Sequence, residues 1–480
     1  MALKTLFLNP PSFDGFDGGA GARYQATREI RSFWYPTWLA QPAAMVAGSR
    51  LVDAPARGLA LADVLPLAGD FELAILHTST PSFASDGKVA AALKARNPSL
   101  IVGFVGAHVA VLPEASLASA PAIDFVARHE FDYTIQEIAS GRPIATVDGV
   151  SFRGQGGVVH NRDRTLIHDM DALPFVSDVY ARDLVPEDYF IGYLLHPYLS
   201  LYTGRGCKSR CTFCLWPQTI GGHVYRTRSP ARVAEEIRHA RRLMPQIREF
   251  FFDDDTFTDL PQRAEAVARL LGRDGVTWSC NAKANVPART LEVLRDNGLR
   301  LLLVGYESGN QRILHNIKKG MRIEVARRFA EDCHRLGIKV HGTFIVGLPG
   351  ETPETIRETI RFAKEIDPHT IQVSIAAPYP GTHLYDQALA NGWLVNGGSD
   401  LVAQSGFQLA SLSYPHLPQA AIFEAVAEFY KAFYFRPRKI ADITWEMLGS
   451  WEMMKRRLRE GVEFFHFLRA RGGAAHSTST

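Results

Sequence analysis

The densest chemistry in this 480-residue chain lies in nine consecutive residues, Gly206-Cys207-Lys208-Ser209-Arg210-Cys211-Thr212-Phe213-Cys214. Thiolates are soft ligands, suited to zinc or to iron–sulfur clusters. That there are three of them discriminates between the two. A cubane held by four cysteines is saturated, whereas three leave one iron open to chelate an amino and a carboxylate group. Electron transfer from such a cluster into a neighbouring sulfonium breaks a carbon–sulfur bond. Structural zinc, with His223 as fourth ligand, is the competing reading. Such sites pair two short ligand motifs separated along the chain, and no second C-x2-C or H-x3-H pair exists. The other two of the five cysteines, Cys280 and Cys333, lie in apolar stretches and read as buried small hydrophobes. An odd, scattered set in a long chain is no disulfide framework.

These side chains act together only if the fold holds them in one place. From residue 198 onward, short apolar runs alternate with amphipathic stretches. Strands are expected over residues 199–203, 249–253, 276–281, 300–305, 340–346 and 370–374. Helices are expected between them, over 230–243, 262–271, 289–296, 323–336 and 353–366. Ser229 before Pro230 marks a helix start. Six such repeats predict a partial or full TIM-type barrel, whose sites form at the carboxyl ends of the strands. The candidates fall there: Cys207 after the first strand, Asp254 after the second, Glu307 after the fourth and Gly347 after the fifth.

Upstream, strands are expected over residues 3–9, 73–77, 100–106 and 123–127, and helices over 39–51 and 87–96. That order predicts a Rossmann-like parallel sheet with crossover helices, whose ligands bind outside the carboxyl ends of the strands. Gly103, Gly106 and His108 sit at one such end. Residues 149–161 read as a hairpin and residues 169–180 as a linker. Beyond residue 401 the pattern is helical, over 419–433 and 451–471. The last of these has Trp451, Met454, Leu458, Phe465 and Leu468 on one face, with Lys455, Arg456, Arg457 and Arg459 opposite. It reads either as a helix packed on the barrel or as one touching a membrane surface. The tail 472–480 is expected to be disordered. The α/β chain thus divides into an α/β unit (1–150), a hairpin and linker (151–197), a barrel (198–400) and a helical region (401–480).

Hydrophobic residues make up 46% and charged residues 21%, an ordinary globular balance. A net charge of +3 is too small to call for a nucleic-acid partner. The opening MALKTLFLNPPSF is broken by Pro10-Pro11 too early for a signal peptide, and no apolar run is long enough to span a membrane. A soluble, cytoplasmic protein is expected.

C-x3-C-x2-C with an aromatic, Phe213, before the third cysteine resembles the radical S-adenosylmethionine (SAM) signature. The resemblance implies a [4Fe–4S] cluster on Cys207, Cys211 and Cys214, and a 5′-deoxyadenosyl radical made from SAM. Phe252-Asp253-Asp254-Asp255-Thr256-Phe257 resembles the Asp-Asp-x-Phe variant of the second-strand motif. It implies that Asp254 and Asp255 contact the SAM ammonium, a pairing of opposite charges; a merely solvated acidic loop is the alternative. Tyr306-Glu307-Ser308-Gly309-Asn310 resembles the fourth-strand motif, so Glu307 and Ser308 are expected on the SAM ribose and carboxylate. Gly342 through Glu351 resembles the fifth-strand motif, with Gly347 allowing backbone to approach adenine. Pro378-Tyr379-Pro380-Gly381-Thr382 resembles the sixth-strand turn of the same group.

The N-terminal unit resembles a cobalamin-binding domain. Gly106-Ala107-His108-Val109 through Leu112-Pro113-Glu114 matches its G-x-H-x-x-x-x-P-E stretch, which implies Gly106 and His108 as cobalamin contacts. No D-x-H-x-x-G motif exists, so ligation of cobalt by that motif's histidine is not expected. The usual G-E-x-E turn is replaced by Arg128-His129-Glu130-Phe131. The opening, Lys4 through Gly21 and Arg31 through Leu39, resembles the hopanoid-biosynthesis-associated branch of the family. That branch implies a lipid-linked hopanoid sugar as substrate, contraction of its glucosamine ring to an aminocyclitol ether, a flavodoxin or ferredoxin as reductant, and peripheral contact with the inner membrane face. Methyl transfer to carbon is the alternative reaction within the same group. The glycine-rich stretch 14–21 lacks Walker and dinucleotide spacing and reads as a substrate or cobalamin contact, or as a mobile turn.

Overall fold

The computed structural model describes residues 2–11, 30, 32–398, 401–402, 408–448 and 451–477. The glycine-rich stretch 14–21 and Arg31 lie outside them.

The first layer is a seven-stranded sheet of β1 (Thr5–Asn9), β2 (Arg50–Asp53), β3 (Leu73–His77), β4 (Ile101–Val105), β5 (Phe125–Ala127), β6 (Val150–Gly154) and β7 (Gly157–His160). Its order is β2-β1-β3-β4-β5-β6-β7, parallel through β5 and antiparallel after it. The parallel strands are apolar on both faces because helices cover both. β2 begins inside the stretch expected to be helical. The helix there, α1 (Thr37–Met45), stops early, and Gly48 at φ +70 reverses the chain into the strand. The expected hairpin is β6–β7, and it extends this sheet.

The second layer is a six-stranded, all-parallel sheet: β8 (Tyr198–Leu201), β9 (Glu249–Phe252), β10 (Trp278–Ala282), β11 (Leu299–Glu307), β12 (Lys339–Val346) and β13 (Thr370–Ile375). The strands neighbour one another in sequence order and β8 does not pair with β13, so this is a half-barrel. Helices α2 (Pro230–Leu243), α3 (Pro261–Arg273), α4 (Ala288–Asp296), α5 (Ile323–Leu336) and α6 (Pro353–Ile366) make the crossovers. Ser229 caps α2, accepting the Arg232 N–H at 3.2 Å. Phe250, Phe251 and Phe252 are all buried, as a strand covered on both faces requires. Cys280 and Cys333 are buried too, and burial pushes both thiols up.

The C-terminal region comprises α7 (Gln419–Tyr434), α8 (Pro437–Leu448) and α9 (Trp451–Ser477). α7 covers the β13 edge: the Tyr430 hydroxyl accepts the Val373 N–H at 2.9 Å, and that of Tyr434 accepts the Ile371 N–H at 3.0 Å. The sequence pattern does not reveal α8. The tail expected to be disordered continues α9 as far as Ser477.

Candidate active site

β8 delivers the chain to the cysteine loop through a two-residue antiparallel ribbon, Gly204–Arg205 with Arg226–Thr227, which pins both ends of the loop. Gly206 follows at φ +84, where a Cβ would lie 2.3 Å from the Val224 carbonyl and 2.8 Å from that of Gly221, so only glycine fits. The Cys207 N–H donates to the Gly222 carbonyl at 3.2 Å, and the Thr212 N–H to that of Ile317 at 3.0 Å. Gln218 ties the loop to itself, donating to the carbonyls of Cys214 at 2.6 Å and Cys211 at 3.3 Å. Its own carbonyl accepts the His383 N–H at 3.0 Å.

The three cysteines line one cavity of about 210 Å³, with Phe213, Asp255, Thr256, Asn281, Lys283, Glu307 and Lys319 also on its walls. Among the described residues, no group of three or more His, Cys, Asp or Glu side chains is placed to share a single metal ion. His223 lines the same cavity, with its Nδ1 2.9 Å from the Ser209 carbonyl. Zinc draws its ligands onto one centre, and the cysteines are not so placed. A cubane seats each thiolate on a different iron, so its ligands stand farther apart. Three soft donors around one cavity, with no fourth cysteine, fit a [4Fe–4S] cluster with an open iron.

Lys319 is the side chain the sequence did not reveal. Its Nζ sits 2.7 Å from Glu307 Oε1. Burial works against the ammonium, but Glu307 and the Cys211 and Cys214 sulfurs more than offset it and hold Lys319 above its usual pKa. It stays cationic beside the cysteine sulfurs, while burial pushes the free Cys211 thiol up. Glu307 takes a left-handed backbone, φ +63, at an irregularity in the β11–β12 register. That conformation costs a non-glycine residue about 1–2 kcal/mol. Gly305 makes room for the pair, since a Cβ there would lie 2.3 Å from Glu307 Oε1 and 2.9 Å from Lys319 Nζ.

Three residues expected on SAM do not line this cavity. Asp254 is wholly buried off the cavity. Its carboxylate accepts the Thr203 N–H, the Thr203 hydroxyl and the Tyr225 hydroxyl, each at 2.6 Å. It clamps the root of the cysteine loop, and burial raises its pKa against those bonds. Asp255, one residue on, is the member of the pair on the cavity wall. Ser308 is buried beneath the fourth-strand loop, its hydroxyl 3.1 Å from that of Thr359. Gly347, at φ +84, admits Ile422 of α7, which a Cβ would meet at 2.8 Å. Its N–H donates to Glu351 at 2.7 Å and its carbonyl accepts the Tyr414 hydroxyl at 2.8 Å.

At the carboxyl edge of the first sheet, Gly106 has φ +122, and a Cβ would lie 2.2 Å from the Thr78 carbonyl. His108 stacks on Phe83 at 4.5 Å between centroids, and its Nδ1 lies 3.2 Å from the Thr80 hydroxyl. Burial lowers its pKa to about 4. His77, at the end of β3, is fully buried and likewise lowered to about 4, with neither ring nitrogen hydrogen-bonded. On neighbouring β1, Asn9 donates to Asp53 at 2.7 Å while its carbonyl oxygen has no partner. Unpaired polar atoms inside a protein are costly. A histidine in an apolar strand gives no such signal in the sequence.

The two edges are joined. Buried ion pairs run from Arg205 to Asp132, at 2.7 Å, and from Arg226 to Glu130, also at 2.7 Å. They tie the first sheet's Arg128–Asp132 stretch to the ribbon that roots the cysteine loop. A Cβ on Gly381, in the turn after β13, would lie 2.7 Å from Val111, three residues beyond His108.

Residues 201–363 match the radical SAM superfamily. The uncharacterized methyltransferase PH0819 of Pyrococcus horikoshii is 30% identical over 471 residues, covering 95% of this chain and 97% of that protein. The hopanoid C-3 methylase of Methylococcus capsulatus is 29% identical over 212 residues, covering 42% of this chain and 39% of that one. Among solved structures, the radical SAM methyltransferase TsrM from Kitasatospora setae, with cobalamin and a [4Fe–4S] cluster bound, aligns with a TM-score of 0.67 at 15% identity. That alignment covers 99% of this chain and 100% of TsrM, so the two-sheet architecture is shared throughout. With a relative matched nearly end to end and three thiolates around one cavity at the mouth of a half-barrel, this chain belongs to the radical SAM superfamily, enzymes that work with SAM and a [4Fe–4S] cluster.

Proposed function

We propose that the chain is a cobalamin-using radical SAM enzyme that transfers a methyl group to a carbon of a hopanoid-type lipid. The observation that carries this reading is the locking of the first sheet's carboxyl edge onto the cysteine loop through Arg205–Asp132, Arg226–Glu130 and the Gly381–Val111 contact. A group held at Gly106 and His108 is thereby kept in register with the cavity. The residues there suit cobalamin: Gly106 lets the loop close on the Thr78 carbonyl beside His108, and His108 and His77 carry no charge at neutral pH. When bound, the cluster supplies the electron that cleaves SAM, and cobalamin supplies a transferable methyl group. Cys207, Cys211 and Cys214 hold the cluster. Phe213, Asp255, Thr256 and Glu307 line the space for the methionine and ribose of SAM, while Lys319 balances the thiolate charge. The similarity to a hopanoid methylase supports the lipid class. A flavodoxin- or ferredoxin-type donor at the cytoplasmic face of the membrane fits the same reading.

A second reaction on that substrate class, contraction of a glucosaminyl hopanoid to an aminocyclitol ether, is favoured by the opening stretch Lys4 through Gly21. Anaerobic reconstitution with iron, sulfide, cobalamin and SAM, followed by mass analysis of glucosaminyl hopanoid incubations, separates the two. Gain of one methyl supports the first reading. A product with no added carbon supports ring contraction. A reconstituted protein that cleaves no SAM overturns both.

A further inference from the structure

An amphipathic helix on a globular body turns its apolar stripe inward. α9 follows that rule only in part: Phe464 and Phe467 pack inward on Tyr430 of α7, yet a second apolar stripe faces out. Its first turns face inward with Arg456, Arg457 and Glu460: Arg456 donates to the Leu194 carbonyl at 2.8 Å, and Arg457 pairs with Glu460 at 2.7 Å and with Glu446 at 2.8 Å. Farther along, Arg471 donates to the Phe423 carbonyl at 2.9 Å. The outward stripe is Trp451, Lys455, Leu458, Val462, Phe465 and Arg469, spaced at alternating steps of four and three. α8 beside it exposes Ile440, Trp445 and Leu448.

Among the described residues, thirteen large apolar side chains stand exposed, and eight of them lie between Phe435 and Phe465. Trp445 is 78% exposed, Leu448 72% and Trp451 66%. Scattered apolar residues need no explanation, but a patch of this density marks a surface that something covers. Residues 435–471 hold nine Lys and Arg against five Asp and Glu, whereas the whole chain nets only +3. The exposed cations Arg438, Lys455, Arg459 and Arg469 are interleaved with the apolar groups, and Lys455 sits 5.3 Å over the Trp451 ring. Tryptophan beside lysine or arginine is the composition of a membrane–water interface. A second copy is the poorer occupant, since an isologous contact would set these cations against one another. No helix among the described residues is long and apolar enough to cross a membrane, so the face lies on a bilayer rather than through it.

We propose that the outer face of α8 and α9 docks the protein on an anionic lipid surface. The face lies beneath the half-barrel. A cavity of about 930 Å³ behind it reaches the amino-terminal ends of β12 and β13, at Lys339, His341 and Thr370, opposite the cysteines. It therefore serves as an anchor, and the inference does not rest on the reaction proposed above.

The test uses the full chain with vesicles of phosphatidylcholine alone or containing phosphatidylglycerol, read by co-sedimentation and tryptophan fluorescence. Binding to the anionic vesicles with a blue shift is expected, weakening as salt is raised. A Trp445→Ser, Trp451→Ser, Phe465→Ser variant should lose at least about tenfold in partitioning. Lys455→Glu with Arg459→Glu should abolish the preference for anionic lipid. Circular dichroism should be unchanged in both, because these side chains are exposed. Absence of binding, binding indifferent to lipid charge, or a triple variant that binds as the parent does would overturn the proposal. So would a concentration-dependent dimer that the triple variant dissolves.

Discussion

The two sheets present opposite electrostatic characters at their carboxyl edges. At the half-barrel, the central charges are buried beside counter-charges: Glu307 on Lys319, and Lys319 in turn beside the cysteine sulfurs. At the seven-stranded sheet, the histidines are neutral and polar atoms of His77 and Asn9 go unpaired. An edge built from balanced charges suits a cluster and a zwitterionic SAM, whose charges must be met in a dry cavity. An edge of uncharged rings suits a bulky ligand that brings its own surface. The joining ion pairs, Arg205–Asp132 and Arg226–Glu130, keep these two environments adjacent without mixing them.

The sharpest break of that contrast is loss of the charged edge altogether. Cys211→Ala removes one of three ligands, and no other cysteine lines the cavity to replace it. Anaerobic reconstitution should drop from about four irons per chain towards none. SAM cleavage should fall by at least about a thousandfold. Retention of cleavage by this variant would overturn the assignment of the cluster.

Next in size is the pairing itself. Lys319→Met leaves Glu307 buried without its cation, and breaking a buried pair from one side costs about 3–5 kcal/mol. Urea denaturation should show that loss. Lys319→Met combined with Glu307→Gln should recover much of the stability without restoring SAM affinity. If the double variant is no more stable than the single one, the pair is not what makes this edge costly to disturb.

The third test separates two adjacent acids. Asp254→Ala removes the acceptor of the Thr203 N–H, the Thr203 hydroxyl and the Tyr225 hydroxyl, a loss of about 3 kcal/mol on melting. Asp255→Asn should leave melting within about 0.5 kcal/mol and raise the KM for SAM instead. The opposite pattern would return Asp254 to the cavity.

That division shows where the sequence could be read and where it could not. Apolar runs separated by amphipathic stretches announce covered parallel strands, so all six half-barrel strands and the positions of Cys207, Asp254 and Glu307 at their ends were legible. Asp254 and Asp255 were not separable. Consecutive side chains beyond a strand end point different ways, and only the position of Thr203 and Tyr225 decides which one turns inward. Lys319 was invisible because it comes from the loop after Gln311–Asn316 and meets Glu307 only through the fold. The first half of β2 was read as the end of a helix because the left-handed turn at Gly48 has no periodic signature. The stripe of α9 was legible, but not which face it shows. Periodicity reports that a helix has two faces; the ion pairs of Arg457 with Glu446 and Glu460, and the packing of Phe464 and Phe467 on Tyr430, set which is buried.

The smallest expected effect probes the neutral edge. His77 is lowered to about 4 by burial alone, so its folded pKa lies below the unfolded value of about 6.5. The unfolded chain therefore binds a proton first as pH falls. Stability is fully present above pH ~6.5 and is lost progressively towards pH ~4, amounting to about 2 kcal/mol by pH ~5. His77→Phe keeps a planar ring, gives up no hydrogen bond and removes the proton. It should match or exceed the parent at pH ~7 and lose about 2 kcal/mol less than the parent on going to pH ~5. Paired urea titrations at the two pH values read this directly. If the phenylalanine variant is destabilised at neutral pH, the imidazole has a partner at this edge after all. The contrast would then be between two polar sites rather than a charged one and a neutral one.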